Sequence, residues 1–555
     1  MIGIHLSPAL ICVALTVACL APFATKAFHI DDTFFIYAAR QIYAHPADPY
    51  GCKINWYRFE ADMAKVMNDP PLACYYIALA ASCFGWSEIA LHLAFLVPAA
   101  AAVLGTYFLA LRFCTKPLVA ALATLLCPVF MVSSTTVMCD TMMLAFFVWA
   151  VVLWLRGLEG GNHFFQILSA CLIAAAALTK YYAVALIPLL LVYSLLRRPR
   201  VRWRILYLAI PVVILLVYDA AMGSLYAYSM FSRAGAFALL SRGRESSNLF
   251  RGLIALCFTG GCFATVIFYA NQLWSRRGLV LGFLGAVLMV WLFSSAKSLG
   301  NFELPGDRET RRWIVLQFAV FVVAGVGLME LAISDLWRSR DAESALLFLW
   351  TVGTFVFYWI VNWTVNGRSI LPMVPAASIL IVRRIEQYAE GSATSRFAWE
   401  FLPLVFAGFL SAWITCADTR LADTARVAAA EIHDRYGGQN HAVLFAGHWG
   451  FQYYMESYGF KALDITKTSF VPGDILIIPE NNTNLPDLPE GLFSEALTLR
   501  YLSSRVLTTM HSSVGAGFYA SVWGPLPFAF GAVPAEQYQV MSALLGFEAS
   551  QRFKH

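Results

Sequence analysis

Apolar runs long enough to cross a bilayer recur from the start of the chain to residue 416, and a chain so built has to bury most of its length in lipid. Of the 555 residues, 59% are hydrophobic and 13% charged. An ordinary soluble domain carries about 25% charged residues. These figures exclude a soluble globular protein, a disordered chain, a collagen-like fibre and a single-anchor ectodomain. An outer-membrane barrel is excluded because its signature is short alternating segments. The net charge of +5 is modest, and no nucleic-acid partner is expected.

The runs predict about thirteen membrane helices, near 6–25, 88–111, 117–133, 141–156, 164–179, 182–196, 204–222, 250–272, 278–294, 313–334, 345–361, 369–382 and 399–416. Residues 6–24 lack the Lys or Arg of a signal-peptide n-region and read as an uncleaved first helix. The loop 26–87 holds an amphipathic stretch at Phe34–Ile42 and an apolar one at Leu72–Phe84. The latter is too short to span comfortably and is expected at the interface. Arg112, Lys116, Arg156, the basic run Arg197–Arg204, Arg276, Arg277, Arg338, Arg340, Arg383 and Arg384 all fall on one side if the helices alternate. The positive-inside rule makes that side cytoplasmic, with the N-terminus inside and the tail outside. The expected location is the inner (plasma) membrane of a bacterium.

The expected organisation is a transmembrane part, 1–416, whose first extracytoplasmic loop is 26–87, and a soluble extracytoplasmic α/β part, 417–555. In the latter, His441–Ala446 and Asp474–Pro479 read as buried strands, and Ala422–Tyr436 and Phe451–Tyr458 as helices. None of the 12 Cys follows Cys416, so no disulfide can staple the tail. The cysteines show no CxxC or Cys/His spacing and read as small buried hydrophobes.

Charged residues at the outer ends of the helices carry the chemistry. Asp31-Asp32 follows the first run directly. Two adjacent carboxylates suit a general base or a divalent-cation site; they also suit a helix N-cap. Asp140 precedes the fourth run and admits the same two readings. Lys180 ends the fifth run, against the positive-inside bias, and either snorkels to the interface or holds a phosphate. Arg368 precedes a Pro-containing run and either anchors a helix end or grips phosphate oxygens in a bidentate fork. Acid, base and phosphate-holding groups on one face suggest chemistry on a phosphorylated lipid.

The order of these features resembles the GT-C glycosyltransferase superfamily, closest to bacterial relatives of protein O-mannosyltransferases and the lipid A aminoarabinose transferase (glycosyltransferase family 39-related). The segments that carry the resemblance are Asp31-Asp32-Thr33-Phe34-Phe35-Ile36-Tyr37, Asn68-Asp69-Pro70-Pro71-Leu72, Gly85-Trp86-Ser87-Glu88, Met138-Cys139-Asp140-Thr141, Leu178-Thr179-Lys180 and Gly367-Arg368-Ser369-Ile370-Leu371-Pro372. They run in family order over roughly 25–382. Asn68-Asp69 stands where the family commonly has His before Pro-Pro, and Asp32 where Glu is commoner.

The resemblance implies a GT-C membrane fold and an inverting sugar transfer from a polyprenyl-phosphate-linked donor to an acceptor hydroxyl on a lipid, glycan or protein, among membrane lipids. Asp31 would be the base, with Asp32 and Asp140 as further catalytic candidates. Lys180 and Arg368 would stabilise the leaving phosphate, and Tyr37, Asp69 and Glu88 would contact substrate. Some members of that superfamily use a divalent cation and others none; if one is used here, Asp31, Asp32 or Asp140 would hold it. The aromatic segment Gly447–Tyr454 fits either a stacking surface for acceptor sugar or the core and rim of the tail. Two rival readings are a transporter or flippase of lipid-linked sugars and a non-catalytic assembly protein. Transporters place ionisable groups near the midplane, often within repeats; here they lie at helix ends and no repeat is visible.

Overall fold

The computed structural model describes residues 7–197, 199–242, 248–389, 396–438 and 441–553. Arg198, within the basic run, lies outside the described residues. The chain is a helical multi-pass membrane protein with a sheet-bearing C-terminal region. Among the described residues, seven helices are long and apolar enough to cross a membrane, or eight if one bent pair counts as a single span. Six shorter apolar helices accompany them. Each of the thirteen expected runs falls on helix, but several are interrupted. The third run bends by 60° between Pro117–Leu125 and Pro128–Ser134, where Pro128 lacks the N–H needed to continue the ladder. The run at 250–272 divides into Asn248–Cys262, Thr265–Phe268 and Ala270–Leu273.

Several helix starts are set by local chemistry. Ser87 Oγ accepts from Ala90 N at the head of Glu88–Phe113, and Asp341 Oδ1 accepts from Ser344 N at the head of Ala342–Val356. The two first-loop stretches form helices Asp32–Ala44 and Leu72–Phe84, which pack on each other.

The last apolar run and the predicted helix Ala422–Tyr436 are one helix, Arg396–Tyr436, 41 residues long. At 1.5 Å per residue it extends about 60 Å, twice the hydrocarbon thickness. Between the two predicted pieces stand Asp418 and Thr419, which look like loop residues in the sequence. Asp418 is fully buried and bonded by three side chains, and Thr419 Oγ1 bonds back to the Thr415 carbonyl. Neither therefore ends the helix.

The tail sheet has five strands in the order Lys461–Ala462, Val443–Phe445, Ile475–Pro479, Glu536–Ala543 and Phe493–Tyr501. Val443–Phe445 pairs in parallel with both neighbours, and the last two strands add antiparallel. Helix Trp449–Ser457 connects the parallel pair Val443–Phe445 and Lys461–Ala462. Tail and membrane part share one apolar core. Gly450 fits because a Cβ there would stand 2.1 Å from the Phe28 carbonyl oxygen. Gln317 and Phe530 exchange two hydrogen bonds, 2.9 and 2.7 Å.

Within the tail, Glu536 is 5% exposed and its carboxylate accepts from Asn481 Nδ2 at 3.1 Å. Burial pushes its carboxyl up to about 7, from 4.5. A carboxyl whose folded-state pKa is raised contributes stability that is complete below its unfolded pKa and lost as pH rises through the folded one. Glu536→Gln is therefore expected to match wild type near pH 4.5 and to gain on it through pH 7, by up to about 3 kcal/mol at pH 8. Thermal unfolding of both proteins across that pH range checks this.

Candidate active site

Four separate segments bring charge to one place. Cys139–Gly160 and His163–Thr179 are consecutive helices packed against each other, so Asp140 in the first turn of one meets Lys180 just past the end of the other. The Lys180 Nζ–Asp140 Oδ1 distance is 2.5 Å. Arg368 lies in the short turn Gly367–Ile370, which Asn366 caps by accepting from Ser369 N at 2.8 Å. Its guanidinium bridges Asp31 Oδ2 at 2.7 Å and Asp140 Oδ2 at 3.8 Å, and Nη1 also meets Met138 Sδ at 2.8 Å. The side chains open in sequence: Asp140 is 1% exposed, Arg368 12%, Lys180 22% and Asp31 28%. Asp31 is thus half-buried, ion-paired and the most accessible of the four.

Asp31, Lys180 and Arg368 line a cavity of about 280 Å³. Asp69 lies on the same wall. Burial pushes the Asp69 carboxyl up, and Lys180 opposes that. Trp56, Tyr57, Trp363 and Asn362 supply aromatic and amide faces to the cavity. Asn362 and Trp363 stand out in the sequence only as part of an Asn-Trp-Thr sequon, and Trp56 and Tyr57 not at all.

The N-cap alternatives fall short at both carboxylate positions. Asp31 occupies the cap position of Asp32–Ala44 without a side-chain capping bond, and the side chain of Asp140 goes to Lys180. Asp32 does not line the cavity. It is fully buried, and its two oxygens accept from His29 N at 2.9 Å and Val137 N at 2.7 Å. It ties the first loop to the segment that carries Asp140. Burial pushes its carboxyl up to about 7, against Lys26 and those two bonds.

Tyr37 and Glu88, expected at the substrate, lie elsewhere. Tyr37 donates to Glu456 Oε2 at 2.5 Å; Glu88 accepts from Tyr454 at 2.9 Å and pairs with Arg426 at 3.4 Å. Glu88 thus holds the tail against the head of helix Glu88–Phe113, and Tyr37 holds it against the first loop. The aromatic segment of the tail does the same: His448 stacks on Trp56 with ring centres 5.1 Å apart, and Arg40 lies 5.1 Å from the centre of Tyr453. Burial lowers His448 to about 4, so its imidazole is neutral at pH 7.

A second buried pair underlies the site. Lys26 Nζ and Asp418 Oδ2 are 2.6 Å apart and fully buried. Lys26, like Lys180, is a lone cation just past an apolar run, and that position marks it in the sequence. Among the described residues, no three His, Cys, Asp or Glu converge as a metal would need. Asp31 and Asp140 instead meet cations and Asp32 meets backbone N–H groups, so the donor set does not fit a divalent ion.

Residues 68–221 match the family described as Dolichyl-phosphate-mannose-protein mannosyltransferase, which bears out the resemblance seen in the motifs. No curated protein matches the sequence. Among solved structures, the chain is similar to ArnT from Cupriavidus metallidurans bound to undecaprenyl phosphate, with 14% identity and a TM-score of 0.42 over 85% of this chain and 93% of that one. It is similar to the Archaeoglobus fulgidus oligosaccharyltransferase, with 12% identity and a TM-score of 0.47 over 83% of this chain and 63% of that one. It is also similar to the arabinosyltransferase EmbB from Mycobacterium smegmatis, with 12% identity and a TM-score of 0.35 over 87% of this chain and 47% of that one.

The Asp140–Lys180 pair yields a stability test. Removing one member of a buried pair strands the other and costs about 3–5 kcal/mol. Lys180→Met leaves Asp140 with only the more distant Arg368, and is expected to lower the melting temperature clearly. The double substitution Asp140→Asn/Lys180→Met is expected to lose less than the sum of the two single changes. A double-mutant cycle by thermal unfolding in lipid nanodiscs measures the coupling.

Proposed function

We propose that this chain is a membrane glycosyltransferase that moves a sugar from a polyprenyl-phosphate donor to an acceptor hydroxyl, with inversion at the anomeric carbon. One observation carries the reading: the cavity wall holds an accessible carboxylate, Asp31, beside two cations, Lys180 and Arg368, which a deeply buried Asp140 keeps in place. The match of 68–221 to a family named for a lipid-phosphate sugar supports the donor class.

An alcohol is a poor nucleophile at neutral pH. Asp31 takes the proton of the acceptor hydroxyl as that oxygen bonds to the anomeric carbon on the face opposite the phosphate. The bond from that carbon to the phosphate oxygen breaks, and its electron pair stays with the phosphate. The leaving group gains one negative charge, and Lys180 and Arg368 face that charge with donors already oriented. Asp140 faces both cations and holds their side chains in a region of low dielectric. Asp69 and the amides of the cavity wall contact the sugar. Asp32 acts only by fixing the segment between His29 and Val137.

In this reading, 1–416 forms the transferase part and 417–555 the outer α/β part, with the N-terminus cytoplasmic and the chain in a bacterial inner membrane. The acceptor is a lipid, glycan or protein hydroxyl presented at the outer face.

The test is sugar transfer by the full chain in proteoliposomes, with a panel of polyprenyl-phosphate sugars and release of the lipid phosphate as readout. Asp31→Asn, nearly isosteric, is expected to lower kcat by about 10²–10⁴-fold while the protein stays folded. Arg368→Lys, which keeps the charge and loses the fork, is expected to lower kcat more than it raises KM. Transfer that survives Asp31→Asn at the wild-type rate would remove Asp31 as the base.

A further inference from the structure

Arg368 is held from behind by the tail. Its guanidinium carbon lies 5.9 Å from the ring centre of Tyr519, within reach of a cation–π contact. Tyr519 is 2% exposed, and its hydroxyl donates to Asp418 Oδ2 at 2.9 Å. The other Asp418 oxygen accepts from Thr509, also in the tail, at 2.6 Å, and Lys26 completes the set. The Tyr519 ring packs at right angles on the ring of His29, centres 5.4 Å apart, and the His29 backbone N–H holds Asp32.

The backbone is fixed by the same stretch. Gly367 N donates to the Phe518 carbonyl at 2.7 Å, and Ser521 N donates to the Val365 carbonyl at 2.8 Å. Gly367 passes so close that a Cβ there would stand 2.7 Å from the Phe518 ring. The tail therefore grips the residues before and after Asn366 and lays a ring against the cation that faces Asp31.

We propose that Tyr519, anchored on Asp418, is a positioning residue that sets Arg368 against Asp31, so the tail is a working part of the reaction centre. This rests on the reading of Arg368 and Asp31 given above. A free guanidinium at the end of a long side chain samples many rotamers. One packed on a ring, with its backbone clamped on both sides, meets the leaving phosphate already oriented. Phe518 and Ser521 set the loop, and Tyr519 sets the side chain.

Asp418 is the wrong place to test this, because its removal strands the buried Lys26. Tyr519 carries no charge and separates the two roles. Tyr519→Phe keeps the ring and loses the hydroxyl anchor; Tyr519→Leu loses both. In the proteoliposome assay, Tyr519→Leu is expected to lower kcat roughly tenfold while the donor KM moves less than about twofold. Tyr519→Phe is expected to fall between Tyr519→Leu and wild type. Wild-type kcat in Tyr519→Leu overturns the proposal, as does a loss that only tracks the folded fraction.

Binding of undecaprenyl phosphate to the full chain in nanodiscs separates this proposal from the transferase reading. Weaker binding in both Arg368→Gln and Tyr519→Leu supports the brace even if no donor is turned over. Wild-type binding in Tyr519→Leu beside weakened binding in Arg368→Gln overturns the brace alone. Wild-type binding in both, or no binding by wild type, removes the phosphate role of Arg368 and the brace with it.

Discussion

A charge withdrawn from water must find an opposite charge or several hydrogen bonds, and the site is organised around that requirement. Arg368 is the hub: it spans two carboxylates from segments 109 residues apart in sequence, Asp31 and Asp140, and Asp140 in turn holds Lys180. Four segments have to arrive together for any one of these groups to be tolerated where it is. The helices around them are built to deliver their ends to that point. The interrupted run leading to Val374–Ala389 leaves irregular backbone beside the cavity, where the side chains of Asn362 and Asn366 bond it.

The parts of this that were legible in the sequence are those with a short-range cause. Apolar length alone places Asp140 and Lys180 at the same end of consecutive helices, since two spans of about 20 residues separate a residue from its neighbour after one return trip. Arg368 and Lys180 stand out because each sits at the end of an apolar run, on the side away from the basic run Arg197–Arg204. The first-loop helices are legible from their periodicity and from Pro70-Pro71.

The parts that were not legible have distant causes. Tyr37 and Glu88 belong to recognisable motifs, yet their partners Glu456 and Tyr454 come from the tail, and no local pattern announces them. Strands Phe493–Tyr501 and Glu536–Ala543 each carry four polar residues among their apolar ones, so their apolar content is diluted. Asp418 reads as the polar end of a span. Its helix runs on through it, and Lys26, Thr509 and Tyr519 bond the buried carboxylate. Reading the tail as separate follows from composition; its shared core with the membrane part follows from packing, which composition does not encode.

The Lys26–Asp418 pair joins residues 392 apart, and this separation imposes an order of assembly. Lys26 emerges with the first helix and cannot enter a dry interior alone. It stays hydrated until the last long helix is in place and brings Asp418 to it. The anchor of Tyr519 beside Arg368 is therefore completed from the far end of the chain, after the segments bearing Asp31, Asp140, Lys180 and Arg368 have all been made.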